Sequence, residues 1–391
     1  MSKSVLKDIR VLSCTHLHAG PWCGKILAEL GAEVIKIEPL EGEFPRKMIP
    51  LMYKGENYFV MQFSDNKKFI TLNLKHEKGR KIFLDLVKAS DVFLESYTPG
   101  TVDRLGVGYE TQRAANPRII YASISGYGYT GPSKDLPAQD YLAQARSGIM
   151  SVTGFPQSPP VLSAHGVTDH ISAIYTALAI LAAIRYRDNT GKGQRIDMSL
   201  FDAAVDFLTE YNIRYLAEGV LPTRNGNTGI FGGCNMFKAK DGYIFVYYLL
   251  SWNQLLKTLG REDLIDDPDY TTLNILSNPK VDEMIQNWVG TRTRAEAVEQ
   301  MNKEGVVCAP VQSLDEMFTD PQVLARKLFV DAEHPRIGRV KIPRTPLNLS
   351  ETPSEVRCLD STLGCSNKEV YGGILKYSEE EIARLREEGV I

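Results

Sequence analysis

Short apolar runs alternate with amphipathic segments through the first half of the chain. The runs whose length and composition predict strands are 9–14, 33–37, 69–74, 92–97 and 119–125. Between them, 21–30 and 77–89 carry apolar residues at helical spacing, and Pro21 stands in the first turn of the earlier segment. Strands that alternate with helices in this way predict parallel βαβ units and a doubly wound α/β sheet.

A long apolar segment follows this alternating region. Residues 169–186 are apolar on nearly every side of a helix, which predicts a helix buried in the middle of the protein. The turn at 189–193 ends that helix. A short strand is predicted at 195–199, and a further helix extends to about residue 216.

The character of the sequence changes after residue 222. Residues 222–234 are rich in Gly, Asn and Thr, and an aromatic strand is predicted at 242–250. Polar helices at 281–290 and 293–304 complete a second, smaller α+β domain, which we place at 225–320, after a helical linker at 201–224. Ser378 and Glu381 form a capping box that predicts a helix to about residue 388.

Composition narrows the functional classes. The 391 residues are 43% hydrophobic and 24% charged with a net charge of -3, which is typical of a soluble globular protein and unlike a nucleic-acid binder. Six scattered cysteines form no CxxC pair, so no metal centre is predicted. The N-terminus has no apolar signal core and the uncharged stretch 171–184 is too short to span a bilayer. We therefore expect a cytoplasmic protein without a membrane segment.

The first predicted β-α-β unit suggests a dinucleotide site at first sight. Its second strand ends at Glu38, where an acidic residue often binds a ribose. The first turn, at 15–24, lacks the GxGxxG spacing, and Pro21 removes a backbone N–H that could bind phosphate. The sequence therefore argues against an NAD(P) enzyme.

Asp169 is the strongest catalytic candidate. It stands where the long apolar helix is predicted to begin, so the helix dipole and unpaired N–H groups favour an ionised carboxylate. An ionised carboxylate can attack a thioester without a neighbouring base. The structural alternative is an N-cap aspartate, a common role at this position.

Other polar candidates are ambiguous from the residues alone. The glycine-rich segment around Gly232 and Gly233 is either a mobile loop that covers a site or an ordinary interdomain link. His16 and His18 follow the first strand, at the edge where open α/β sheets bind ligands, although single histidines are often structural. The remaining two candidates are either phosphate ligands or plain surface charges: Lys75 and Arg104.

These features together resemble the class III CoA-transferase family, to which formyl-CoA transferase, carnitine CoA-transferase and the related α-methylacyl-CoA racemases belong. The similar segments cover most of the chain and are, in order, LSCTHLHAG (12–20), LGAEVIKIE (30–38), DNKKFITLNLK (65–75), DVFLESYTPGTVDRLG (91–106), ISGYGY (124–129), AQARSGIMSVTG (143–154) and TGKGQRIDMSLFDA (190–203). No single motif is decisive, but their order and spacing are specific to the family.

The resemblance implies a fold and a reaction. It implies a Rossmann-like large domain built from 1–200 and 321–391, a small domain, and a homodimer of two interlocked rings. It also implies transfer of CoA from a donor acyl-CoA to an acceptor carboxylic acid by double displacement. In that reaction Asp169 forms first a mixed anhydride and then an aspartyl-CoA thioester. The CoA thioester is a substrate, and no permanently bound cofactor is expected.

The resemblance also implies roles for individual residues. The family's CoA contacts fall on His16, Leu17, Leu72, Lys75, Tyr97 and Arg104. Its acyl site falls on His18, Gln139 and Asp140, and its mobile loop falls on Gly232 and Gly233. In the family member that moves formyl-CoA, arginine stands where this chain has Pro39, glutamine where it has His18, and tyrosine-glutamate where it has Gln139 and Asp140. Formate and oxalate are therefore unexpected as substrates.

Two other functions remain open from the sequence. An acyl-CoA racemase or epimerase of the same fold needs an acid/base pair, and the related racemases have histidine where this chain has Gln139. A non-catalytic CoA- or nucleotide-binding protein would have no use for Asp169 as a nucleophile. The sequence does not identify the donor and acceptor acids, and it is compatible with dicarboxylic, hydroxy and aryl acids.

Overall fold

The computed structural model describes residues 4–48, 51–271, 274–276 and 278–391. Outside the described residues lie 1–3, 49 and 50 of the predicted large domain and three positions of the predicted small domain. The described chain forms two compact units. One unit comprises the described residues of Met1–Ile149, Leu162–Ile213 and Ala325–Ile391, and the other comprises Met150–Val161 and Arg214–Leu324.

A six-stranded parallel sheet forms the centre of the first unit. Its strands are β1 Arg10–Cys14, β2 Glu33–Glu38, β3 Lys67–Thr71, β4 Val92–Glu95, β5 Ile120–Ser125 and β6 Arg195–Ser199. They lie in the order β3-β2-β1-β4-β5-β6. The strands follow chain order outward from β1 on both sides, with β2 and β3 on one side and β4 to β6 on the other. A crevice therefore opens at the carboxyl edge between β1 and β4. The parallel α/β sheet predicted from the apolar runs is confirmed.

Helices cover both faces of this sheet, as its two-sided apolar strands require. The helices of eight or more residues in this part of the chain are α1 Ala19–Glu29, α2 Glu77–Lys88, α3 Asp140–Ser147, α4 Val167–Thr190 and α5 Leu200–Phe207, followed by α6 Thr209–Glu218. Shorter helical turns lie at Phe44–Lys47, Tyr58–Met61, Thr101–Arg104, Tyr109–Ala115 and Ile149–Val152, and a two-residue ladder pairs Met52–Tyr53 with Glu56–Asn57. Residues that alternate along β1 face opposite cores, since Val11 packs with α1 and α4, and Leu12 packs with α2.

The long helix α4 differs from its prediction. It begins two residues earlier, at Val167, and ends at Thr190, before the C-cap Gly191, whose positive φ of 75° suits the turn predicted there. One face, with Ala173 and Ile180, is fully buried against the sheet. The opposite face exposes Ile174 and Leu178. The prediction of a helix buried in the middle of the protein is therefore wrong for that face. By length and composition alone, α4 could cross a membrane. The buried core helix of a soluble protein meets the same two criteria.

The second unit has its own core. Its antiparallel sheet has the order β9-β8-β7, in which β7 is Cys234–Ala239, β8 is Gly242–Tyr247 and β9 is Val307–Pro310. Its helices are α7 Trp252–Leu259, α8 Pro279–Val289 and α9 Arg294–Lys303, with shorter turns at Glu262–Leu264, Pro268–Tyr270, Asn274–Leu276, Leu314–Thr319 and Pro321–Ala325. The unit also includes Met150–Val161, which the sequence analysis placed in the large domain. The Gly226 N–H donates to Gly154 O at 2.9 Å, and Arg224 donates to Ser158 O at 2.9 Å.

The C-terminal segment returns to the first unit. It contains the hairpin β10 Phe329–His334 and β11 Gly338–Pro343, the short turn Lys368–Gly372, and α10 Glu379–Glu387, which begins with the predicted capping box. The buried Glu29 carboxylate accepts the Thr345 N–H at 2.8 Å and its hydroxyl at 2.6 Å. Lys25 is fully buried and pairs with Glu29 and Asp65. The hydrogen bonds from Thr345 to Glu29 join α1 to the C-terminal segment.

Candidate active site

The loops after β1 and β4 meet at the crevice in the sheet. The His16 N–H donates to Ser96 Oγ at 3.0 Å, and the His16 ring stacks on Tyr97 with centroids 5.2 Å apart. Burial, and then the positive charge of Lys36, lower the pKa of His16 to about 4. A neutral imidazole and a phenol ring therefore form one wall of this crevice.

Glu95, at the end of β4, holds that wall in place. Its fully buried carboxylate accepts the Tyr97 N–H at 2.7 Å, the Ser123 hydroxyl at 2.6 Å and the Tyr129 hydroxyl at 2.8 Å. Burial raises the pKa of Glu95, although these three donors oppose the rise. Glu95 is not among the residues predicted from the sequence. An acidic residue at the carboxyl end of an apolar strand is the signal that could have identified it.

The start of α4 is capped by a residue from another helix. Asp140, the first residue of α3, accepts the Gly166 N–H at 3.1 Å and the Thr168 N–H and hydroxyl at 2.8 Å. Asp169 is the third residue of α4 rather than its N-cap, which is Gly166. The described residues form no hydrogen bond to the Asp169 carboxylate. The N-cap alternative for Asp169 is therefore wrong, because Asp140 supplies the capping oxygens.

The Asp169 carboxylate faces a cavity. Burial, followed by the negative charge of Asp140, raises its pKa from 3.8 to about 7. The expectation that the helix start keeps this group fully ionised is wrong, since Asp140 takes the helix N–H groups and adds repulsion. An unpaired carboxylate of raised pKa is a stronger nucleophile when ionised than one saturated with hydrogen bonds.

A cluster of aromatic and imidazole rings lies beside Asp169. His18 Nε2 is 3.1 Å from His170 Nδ1, and the His170 ring packs against Trp22 with centroids 4.6 Å apart. Burial is the main cause that lowers the pKa of His18 to about 3, so this side chain is neutral. The Tyr141 hydroxyl lies 2.7 Å from His165 Nδ1. The sequence analysis predicted His18 here but missed the other rings, which carry no recognisable spacing.

Three adjoining cavities connect most of the predicted site residues. The first, of about 550 Å³, is lined by His16, Leu17, His18, Tyr97, Gln139, Asp140 and Asp169 among others. The second, of about 410 Å³, includes His16, Pro39 and Tyr97 in its lining. The third, of about 460 Å³, is lined by Leu72, Lys75 and Tyr97 among others. Tyr97 borders all three, so the second and third cavities adjoin the one that Asp169 lines.

The remaining predicted residues have distinct settings. Leu17 adopts a left-handed φ of 58° at the start of the site, and Leu72 is buried at the edge of the third cavity. The Arg104 guanidinium donates to Thr101 Oγ1 at 2.9 Å on the exposed side of a short helix. Gly232 and Gly233 belong to the second unit, and their φ values of 71° and 69° are the left-handed conformation that glycine favours.

Comparison with known proteins decides the family. The model of CoA-transferase family III matches residues 6–365. This chain belongs to CoA-transferase family III. Formyl-CoA:oxalate CoA-transferase from Streptomyces avermitilis is 34% identical, with 99% of each chain covered. Succinyl-CoA–D-citramalate CoA-transferase from Chloroflexus aurantiacus is 31% identical, with 99% of this chain and 98% of the relative covered.

Solved structures agree with this assignment. A CaiB/BaiF family protein from Brucella suis has a TM-score of 0.85 and 29% identity, covering 95% of this chain and 99% of that one. The family resemblance read from the sequence is thus confirmed. The protein is a class III CoA-transferase, an enzyme whose substrates are CoA thioesters and carboxylates.

Proposed function

We propose that this class III CoA-transferase uses Asp169 as its nucleophile to move CoA from a donor acyl-CoA to an acceptor carboxylate. The observation that supports this role best is the Asp169 carboxylate itself. It faces the first cavity without a hydrogen bond from the described residues, while Asp140 performs the capping. A purely structural aspartate at this place would take the backbone amides itself.

The chemistry proceeds by two exchanges at one carboxylate. An Asp169 oxygen attacks the thioester carbonyl, the C–S bond breaks, and CoA thiolate leaves a mixed anhydride. The thiolate then attacks the aspartyl carbonyl, which releases the donor acid and forms an aspartyl-CoA thioester. The acceptor carboxylate attacks that thioester, and the same two steps run in reverse. No net oxidation or proton uptake occurs, and Asp169 is regenerated.

The three adjoining cavities support a path for the bound CoA molecule. We propose that the thioester lies in the first cavity, beside Asp169, and that the pantetheine arm passes His16, Leu17 and Tyr97. The nucleotide end would then reach Leu72 and Lys75 in the third cavity. Arg104 stays a predicted phosphate ligand, and the Gly232–Gly233 segment stays a predicted mobile loop.

We also propose a homodimer and a Rossmann-like large domain. The reversal of strand order at β1 supports the latter description. The exposed apolar residues Ile174 and Leu178 on α4, with Phe207 and Ile213 on the next two helices, support burial against a second copy. The interlocked-ring arrangement, the cytoplasmic location and the absence of a resident cofactor or membrane contact remain predictions. Light scattering of a Leu178→Glu variant, with Lys192→Glu as a surface control, tests the dimer.

Trapping with hydroxylamine tests the role of Asp169. Protein mixed with an acyl-CoA and hydroxylamine should yield an aspartyl hydroxamate on the Asp169 peptide, detected by mass spectrometry. Asp169→Ala should abolish both the adduct and CoA transfer, whereas the exposed control Asp135→Ala should retain both. An unmodified Asp169 peptide together with an active Asp169→Ala variant would remove this mechanism.

An acyl-CoA racemase is the alternative, and the pKa of Asp169 near 7 favours it because that value suits proton transfer at neutral pH. A racemase would also need a second acid/base group, which the related racemases have at the position of Gln139. The amide of Gln139 does not exchange protons at neutral pH. Incubation of a 2-methylacyl-CoA in D₂O separates the two functions. Deuterium at C2 without exchange of CoA would support the racemase.

A further inference from the structure

The first cavity, which Asp169 lines, has largely apolar walls. The segment 44–51, the short Tyr58–Met61 helix, the loop before α3 and α3 itself supply aliphatic, thioether and aromatic side chains: Phe44, Met48, Leu51, Phe59, Leu136 and Tyr141. Phe59 continues into the packed rings around His18, with centroids 6.1 Å apart. Such walls favour binding of an apolar acyl group, because its apolar surface is removed from water on binding.

The charged groups of the same cavity are negative. Asp140 and Asp169 both line it, whereas none of its described lining residues is Lys or Arg. Of the three imidazoles in the lining, His16 and His18 are neutral at physiological pH, since burial lowers the pKa of each, and the third is the exposed His165. A second carboxylate in the acyl group would lose its hydration and meet like charge without a cation to pair with.

Resting on the proposed function, we infer that the acyl groups exchanged are monocarboxylic acids with an apolar body, branched aliphatic or aromatic, rather than dicarboxylic acids. The names of the relatives pair formyl-CoA with oxalate and succinyl-CoA with citramalate, and of these acids all but formate carry two carboxyl functions. The apolar walls and the paired negative charges of this cavity favour the opposite choice. The class of acid thus separates this chain from those relatives.

Isotope exchange between an acid and its own CoA thioester tests this inference. The exchange needs one acid at a time, so it makes no assumption about the natural donor. The acids are ¹³C-labelled 4-methylpentanoate and succinate, which have the same number and connectivity of heavy atoms because two methyl groups replace the two oxygens of the second carboxylate. The assay is run at pH 8, above the ordinary titration range of imidazole.

We expect kcat/KM for exchange to be at least about 100-fold higher with 4-methylpentanoyl-CoA, because an unpaired desolvated charge is strongly rejected. Leu136→Arg, which places a cation on the cavity wall, should raise succinate exchange and lower that of 4-methylpentanoate. Leu136→Gln is the matched uncharged control and should leave the preference for 4-methylpentanoate in place.

The outcomes separate the inference from the proposed function. Equal exchange of both acids, or a preference for succinate, would overturn the inference and leave Asp169 chemistry standing. Exchange of neither acid would overturn the inference, whereas the proposed function would be overturned by an unmodified Asp169 peptide together with an active Asp169→Ala variant. A preference for 4-methylpentanoate that is reduced by Leu136→Arg but not by Leu136→Gln supports the inference.

Discussion

Replacement of Asp169 by asparagine should stabilise the folded protein at neutral and alkaline pH. Burial and the charge of Asp140 raise the pKa of Asp169 in the folded state from 3.8 to about 7. In the unfolded chain the carboxyl ionises at its ordinary value. Ionised Asp169 therefore opposes folding. This penalty is absent below about pH 4, grows between pH 4 and pH 7, and is complete above pH 7.

The size of the effect follows from that change in pKa. At about 1.4 kcal/mol per pKa unit, it corresponds to an upper limit of about 4 kcal/mol in the free energy of unfolding. The side chain is partly exposed to a cavity, so solvent screening reduces the value, and we expect about 2 kcal/mol. Asparagine keeps the size of the side chain and removes the charge.

Urea denaturation at several values between pH 5 and pH 8 measures this prediction. The difference in unfolding free energy between Asp169→Asn and the wild type should increase with pH and level off above pH 7. Asp135→Asn removes an exposed charge and should change stability by less than about 0.5 kcal/mol at each pH. An Asp169→Asn variant that is no more stable than wild type at pH 8 would refute the assignment of a desolvated, unpaired carboxylate.

Three further substitutions test the supports of the site. Asp140→Ala leaves the capped donors at the start of α4 without partners and should lower the free energy of unfolding by about 2–4 kcal/mol in urea titrations. Lys25→Met leaves Glu29 and Asp65 buried without their cation and should cost about 3–5 kcal/mol by the same measurement. Glu95→Gln loosens the loop after β4 and should raise KM for acyl-CoA on the order of tenfold while kcat changes less, in steady-state assays. A kcat loss that exceeds the KM change would instead assign Glu95 a direct catalytic role.

Local patterns predicted the elements of the fold that depend on local forces. The strand at 195–199 has the predicted bounds, and the capping box at Ser378 begins α10 as expected. Periodicity could not predict where α4 is exposed, because all its faces are apolar in sequence and neighbouring elements decide which one is covered. Nor could it predict that Thr345 would bond to Glu29, since that contact joins segments more than 300 residues apart.

The roles of the two aspartates show most clearly why local rules fail at this site. An acidic residue at the start of an apolar helix satisfies the N-cap pattern, so the sequence around Asp169 cannot distinguish a cap from a nucleophile. The distinction depends on Asp140, which reaches the same amides from a different helix and also repels charge on Asp169. A carboxylate becomes available for chemistry when another residue satisfies the donors it would otherwise bind. The nucleophilic role that we propose for Asp169 therefore depends on the pair and on the packing between α3 and α4.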